Sequence, residues 1–191
     1  MCGRYELDTI KKELWERYHI VEENNKWFPK AEVFPTDVCP VVIEEGKIVM
    51  MKWGFIESFS KKPLINARAE TILQKPTFRD SFLHSRCIIP VTAFFEWEEV
   101  NGKKMKRKIS VENMPIVSLA GIKKSYSQPD GSLQERFSII TTNSSKQIEK
   151  IHDRMPVILS PKDEESYLNH QLPALEVTKL LVPTKETLII E

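Results

Sequence analysis

The sequence has little that would bind a metal, cross a membrane or grip a polyanion over its whole surface. Three of its 191 residues are cysteine and none forms a CxxC pair, so the spacing of a zinc site is missing. An odd cysteine count argues against a disulfide framework, and Cys39 and Cys87, set in apolar runs, read as reduced core residues. No apolar run approaches the ~18 residues of a membrane span, and no basic patch followed by an apolar stretch marks a signal peptide. A cytosolic protein with no membrane partner is expected. Charge of one sign is also lacking: 28 Lys and Arg face 27 Asp and Glu, a net charge of +1, which confines any nucleic-acid binding to a local patch. There is no repeat, no low-complexity stretch and no linker long enough to divide the chain. With 41% hydrophobic residues, residues 1–191 read as a single domain around one sizeable core.

What is present is a strand-rich α+β pattern. Asp8 is placed to cap a first helix with an apolar face of Ile10, Leu14 and Tyr18. Val38 to Ile43 and Lys47 to Trp53 flank a turn at Glu45-Gly46. Cys87 to Val100 and Lys103 to Val111 flank Asn101-Gly102, the strongest hairpin signal in the chain, because both central residues of a type I′ turn need positive φ. Asp130-Gly131 repeats the device between Pro115 to Gly121 and Glu135 to Thr142. A helix capped by Ser144 is predicted to run to His152, and Ser160-Pro161 with Asp163 predicts the start of another. A last strand is expected near Leu188 to Ile190.

The chemistry-bearing candidates begin at Cys2. Removal of Met1 would place a thiol and a free α-amine on one residue, a pair that can condense with an aldehyde to an imine and then close a five-membered thiazolidine. With reference pKa values of ~7.7–8.0 for the amine and ~8.5 for the thiol, a useful minority of each is nucleophilic at neutral pH; the alternative is a frayed terminus with no role. In Phe94-Phe95-Glu96-Trp97-Glu98, strand alternation puts Glu96 on the face of Phe94. Burial there would raise its pKa and suit it to proton transfer, while on an edge strand it would be a solvated glutamate. His152 is either a titrating group or a helix C-terminal residue favoured by the dipole. Asn66-Ala67-Arg68-Ala69-Glu70 is a polar cluster with small spacers that allow close approach of a ligand backbone.

Taken together, these segments resemble the SRAP family, the SOS response-associated peptidase-like proteins that shield abasic sites in single-stranded DNA. The resemblance is nearly full length. It runs through Met1-Cys2-Gly3-Arg4-Tyr5, Pro35-Thr36, Trp53-Gly54-Phe55, Asn66-Ala67-Arg68-Ala69-Glu70-Thr71, Arg86-Cys87-Ile88-Ile89-Pro90, Phe95-Glu96-Trp97 and His152-Asp153-Arg154-Met155-Pro156. It implies that Cys2, Asn66, Glu96 and His152 are active-site residues and that Arg4, Arg68 and Arg154 lie where DNA phosphates are contacted. Two segments depart from the family pattern, Lys30 to Pro35 and Ile56 to Phe59, both on the implied DNA-facing surface; Phe59 stands as the candidate wedge that stacks on a base. The fold class expected is α+β, with a mostly antiparallel, barrel-like curved sheet flanked by short helices.

The implied function is covalent capture of the abasic-site aldehyde in single-stranded DNA, with associated lyase and self-processing peptidase activities. The implied scheme needs no metal or organic cofactor. Its partner is DNA, its place the cytoplasm (the nucleoid, if the source is prokaryotic), and its default state a monomer. Two other classes stay open: a cysteine peptidase with an N-terminal nucleophile, which needs an oxyanion hole, and a non-covalent nucleic-acid reader, which would tolerate Cys2→Ala.

Overall fold

The computed structural model describes residues 2–21 and 29–191. Its strands are β1 (Tyr5–Leu7), β2 (Lys30–Val33), β3 (Val38–Glu44), β4 (Lys47–Trp53), β5 (Asn66–Arg68), β6 (Arg86–Val91), β7 (Ala93–Val100), β8 (Lys103–Val111), β9 (Val117–Ser127), β10 (Leu133–Asn143), β11 (Arg154–Pro156), β12 (Ile158–Leu159) and β13 (Leu188–Ile190). The helices are short: α1 (Lys11–Arg17), α2 (Pro76–His84), α3 (Pro161–Leu168) and α4 (Ala174–Thr178). Strands β10, β4, β3, β6 and β9 pair in that order, and a β9–β10 pairing closes the ring into a five-stranded barrel. One of its seams, β10 with β4, is parallel. A second, antiparallel sheet has the order β13-β8-β7-β1-β2. The α+β, barrel-like expectation therefore holds.

Aromatic rings join the two sheets. Tyr5 of β1 lies 5.1 Å from Trp53 of β4, centroid to centroid, and Trp53 stacks parallel to Phe137 of β10 at 6.2 Å. All three are fully buried, each such side chain contributing about 1.5–3 kcal/mol by leaving water. The Trp53 indole N–H is satisfied by the Ile65 carbonyl at 3.0 Å. Arg86, also buried, donates to the carbonyls of Phe82 (2.8 Å), Tyr167 (2.6 Å) and Asn169 (2.6 Å). It thereby ties the C-terminal ends of α2 and α3 to β6, where orphan carbonyls favour a cation.

The turns follow their local sequence signals unevenly. Asn101 and Gly102 have φ of 51° and 73°, both positive as a type I′ turn requires. Gly46 also has positive φ, at the predicted turn. At Asp130-Gly131 only the glycine does. There Asp130 Oδ1 accepts from the Ser132 amide (2.9 Å) and hydroxyl (2.6 Å), making a longer polar loop between strands that extend beyond their expected limits.

The segment expected as one strand from Cys87 to Val100 is two. It breaks at Thr92, whose amide donates to Glu6 O (2.8 Å) and whose hydroxyl donates to Glu6 Oε1 (2.8 Å), so that β6 stays in the barrel while β7 enters the second sheet. Helix α1 starts later than expected. Asp8 does not cap it, since the N-cap is Ile10, half exposed, and the buried face is Leu14, Trp15 and Tyr18. No regular helix leads directly into His152; residues 146–151 form successive turns, with the His152 amide bonded to Ile148 O at 3.1 Å. Helix α3 begins at Pro161 as expected, but the Ser160 hydroxyl donates to Asp163 Oδ2 at 2.5 Å rather than capping the backbone.

Candidate active site

The second sheet and the barrel meet at Cys2. Strand β1 runs antiparallel to β7, with Tyr5 opposite Phe94, and the Phe95 amide donates to Arg4 O at 3.0 Å, which carries the stretch from Cys2 to Arg4 alongside Glu96. From the barrel side, β5 lies along β10 and begins at Asn66, whose Nδ2 donates to Cys2 O at 2.9 Å. Asn66 Oδ1 is buried and accepts no hydrogen bond among the described residues, leaving acceptor capacity beside Cys2 for a ligand donor.

Burial decides the electrostatics. Cys2 is 0% exposed and Glu96 2%. Strand β7 is interior, flanked by β8 and β1, which removes the solvated edge-strand reading of Glu96. Desolvation pushes the Glu96 carboxyl up to about 7, and the negative charge of Asp153 adds to the rise. Burial pushes the Cys2 thiol well above its ordinary value, with Glu96 reinforcing the effect. The thiolate fraction expected of a free cysteine is therefore absent at rest, and a base must take the thiol proton when sulfur attacks.

His152 lies between β10 and β11, and the negative charge of Asp153 acts on both it and Glu96. Its Nδ1 is 2.8 Å from Asp153 Oδ1 and 2.9 Å from the Arg154 amide nitrogen. A protonated Nδ1 donates to the carboxylate and a bare Nδ1 accepts the amide, so the ring changes partner with its proton. Desolvation holds the imidazole below its usual pKa, which favours the neutral ring at pH 7.

Arg154, expected at DNA phosphates, is instead turned inward. It is 7% exposed and donates to Glu70 Oε1 (2.8 Å) and Oε2 (3.0 Å), Asn143 Oδ1 (3.0 Å) and Thr141 O (2.7 Å). The pair ties the turn after β5 to the start of β11, bracing the segments that hold Asn66 and His152. Residue type alone marks neither Glu70 nor Asp153 as part of the site, although Glu70 ends the Asn66–Glu70 cluster and Asp153 follows His152. Arg68 is exposed, as is Phe59 at 71%. Arg4 is half-buried, 4.2 Å above the Phe34 ring and 5.3 Å from that of Trp97. Among the described residues no cluster of His, Cys, Asp or Glu is placed to hold a metal ion, and no helix is long and apolar enough to cross a membrane.

A buried cysteine at position two, an asparagine bonded to its carbonyl and a desolvated glutamate on the adjoining strand meet where the second sheet joins the barrel. The family model described as SOS response associated peptidase (SRAP) matches residues 1–190, and the chain belongs to that family. It is 34% identical over 184 residues to the abasic site processing protein YoaM of Bacillus subtilis, covering 88% of this chain and 79% of that one. It is 33% identical over 180 residues to YoqW, another B. subtilis protein of the same description, covering 88% and 80%. Among solved structures, a protein from Bacteroides thetaiotaomicron superposes with a TM-score of 0.89 at 28% identity, covering 99% of this chain and 91% of that one.

Proposed function

We propose that this protein processes abasic sites in single-stranded DNA by capturing their aldehyde on Cys2 after removal of Met1. The observation that carries the reading is the convergence of Asn66 and the desolvated Glu96 on a buried Cys2, in a chain whose relatives are named for abasic-site processing.

The order of steps follows from the site's electrostatics. The abasic sugar rests mostly as a closed hemiacetal, and His152, neutral but able to take and return a proton, is the group for opening it. With the thiol held protonated, the amine attacks first. Glu96, near neutrality in pKa, takes a proton from the Cys2 ammonium and returns it to the carbinolamine oxygen as water leaves, forming the protonated imine. The thiol then adds: a C–S bond forms, the C=N π pair returns to nitrogen, and Glu96 accepts the thiol proton. Asn66 holds the Cys2 backbone, and its remaining acceptor is available to orient the sugar or the amine. Ring closure consumes the protonated imine that would otherwise promote β-elimination of the strand, so lyase activity is the side path. Arg68 and Arg4 supply phosphate contacts and Phe59 a stacking surface for a base. A raised thiol pKa is poorly suited to direct attack on an acyl carbon, which supports this reading over the peptidase class.

The test is incubation with a single strand carrying one abasic site, followed by heating in denaturant. Cys2→Ser keeps the amine but weakens ring closure, so it should give an imine that borohydride traps and should cleave more strand. A Cys2→Ser variant as protective as the parent would refute the thiazolidine step.

A further inference from the structure

A second feature adjoins this site on the other face of the same ribbon. Strand alternation in β7 sends Phe95 and Trp97 to the side opposite Glu96, and on that side two cations meet one carboxylate. Arg4 Nη1 donates to Glu32 Oε2 at 2.9 Å, and Lys106 of β8 pairs with Glu32 Oε1. Each cation lies over an aromatic face: Arg4 over Phe34 at 4.2 Å, with Trp97 at 5.3 Å, and Lys106 over Phe95 at 4.0 Å. The three side chains remain about a third exposed, at 28%, 34% and 30% for Arg4, Lys106 and Glu32.

Two cations fixed on aromatic platforms around one anion form a preorganised anion cradle. A carboxylate that bridges them through its two oxygens presents the same oxygen pair that a phosphodiester would. The cluster still carries a net charge of +1 with Glu32 in place, so it attracts a further anion. Burial and the nearby Arg4 charge hold the Lys106 ammonium below its usual pKa, the response of a cation that faces another. Arg4 is also two residues from Cys2 in the chain, which places this cradle beside the segment that carries Cys2.

We propose that Arg4 and Lys106 form a phosphate subsite for the DNA backbone and that Glu32 is its resident competitor, a built-in carboxylate that a phosphate displaces or shares. The inference rests on the DNA-binding reading above and adds Lys106 as a contact and Glu32 as a brake. Glu32 lowers affinity for undamaged strands, so that retention depends more on covalent capture at Cys2.

The test measures non-covalent binding of an undamaged oligothymidylate against salt in the Cys2→Ala background, where no crosslink competes. One phosphate contact on a single strand contributes about −0.7 to the slope of log affinity against log salt. Glu32→Gln should bind more tightly at low salt and steepen the slope by about that amount, an extra loss of about 2.6-fold for a fourfold rise in salt. Lys106→Gln should bind more weakly and flatten the slope by a similar amount, and the double variant should fall near the parent. Melting curves would establish that Glu32→Gln is folded; should it not be, Lys106→Gln alone decides. Weaker or unchanged binding by folded Glu32→Gln, tighter binding without a change in slope, or an unchanged slope in Lys106→Gln would each overturn the subsite. Failure here leaves heat-stable capture through Cys2 unaffected, and loss of capture leaves these slopes interpretable.

Discussion

Glu96→Gln separates the energetic cost of burying the Glu96 carboxyl from its proposed use as a base. The Glu96 carboxyl is raised from 4.5 to about 7, chiefly by burial, so between those pH values the native state holds a proton that the unfolded chain has released. The stability this group contributes is present in full below pH 4.5 and is lost as pH rises through 7. At ~1.36 kcal/mol per pH unit the loss is about 3 kcal/mol. Glutamine is nearly isosteric and does not titrate. Glu96→Gln should therefore match the parent at pH 4.5 and exceed it by up to about 3 kcal/mol at pH 8, a rise in Tm of roughly 6–12 °C for a chain of this size. The same variant should crosslink slowly at every pH and lack the increase in rate expected of the parent as pH climbs through 7. The assays are thermal melts from pH 4.5 to 8 beside a crosslinking time course. Equal stabilisation at both ends of the range, or destabilisation at pH 8, would refute the desolvated carboxylate; parental crosslinking rates would refute its role as the base.

Arg68→Ala, in the Cys2→Ala background, should flatten the salt dependence of single-strand binding by about 0.7 in the log–log slope; an unchanged slope removes Arg68 from the contacts. Glu70→Ala leaves the buried Arg154 guanidinium without its bidentate acceptor. Because Glu70 is 42% exposed on its side chain, we expect a loss of roughly 1–3 kcal/mol in chemical denaturation rather than the ~3–5 of a fully buried pair. A neutral result would show that Thr141 and Asn143 suffice. Gly121→Ala would set a Cβ 2.1 Å from Ile89 Cδ1 and 3.1 Å from Ser138 O, and should cost about 1–3 kcal/mol by overpacking between β6 and β10. Parental stability would show that Ile89 repacks without cost.

The parts of the fold that were legible in the sequence are those decided locally. Asn101-Gly102 specifies its turn because both positions demand positive φ, and Pro161 marks the start of α3 because it tolerates the first helical turn. The break at Thr92 was not legible, because apolar residues continue on both sides of it, from Cys87 to Phe95, and the crossing between sheets depends on Glu6, far away in sequence. The turns before His152 defeated the helix prediction for a related reason: Ile148 is fully buried and His152 is held through Ile148 O, so packing overrode a helical pattern. At the site, motif resemblance brought Cys2, Asn66, Glu96 and His152 forward, but residue type could not say which arginine faces outward. Arg154 and Arg68 look alike in sequence; only the approach of Glu70 shows that one is enclosed. The degree of burial of the Cys2 thiol, and with it the amine-first order of the proposed chemistry, likewise depends on tertiary packing.

The measurement closest to the central claim is the intact mass of the heat-denatured product formed with a single strand carrying one abasic site. Covalent capture by the amine and thiol of Cys2 predicts one species, equal to the chain lacking Met1 plus the oligonucleotide less one water, and predicts its absence for Cys2→Ala. A heat-stable adduct of Cys2→Ala, or no adduct from material whose mass shows that Met1 has been removed, would contradict it.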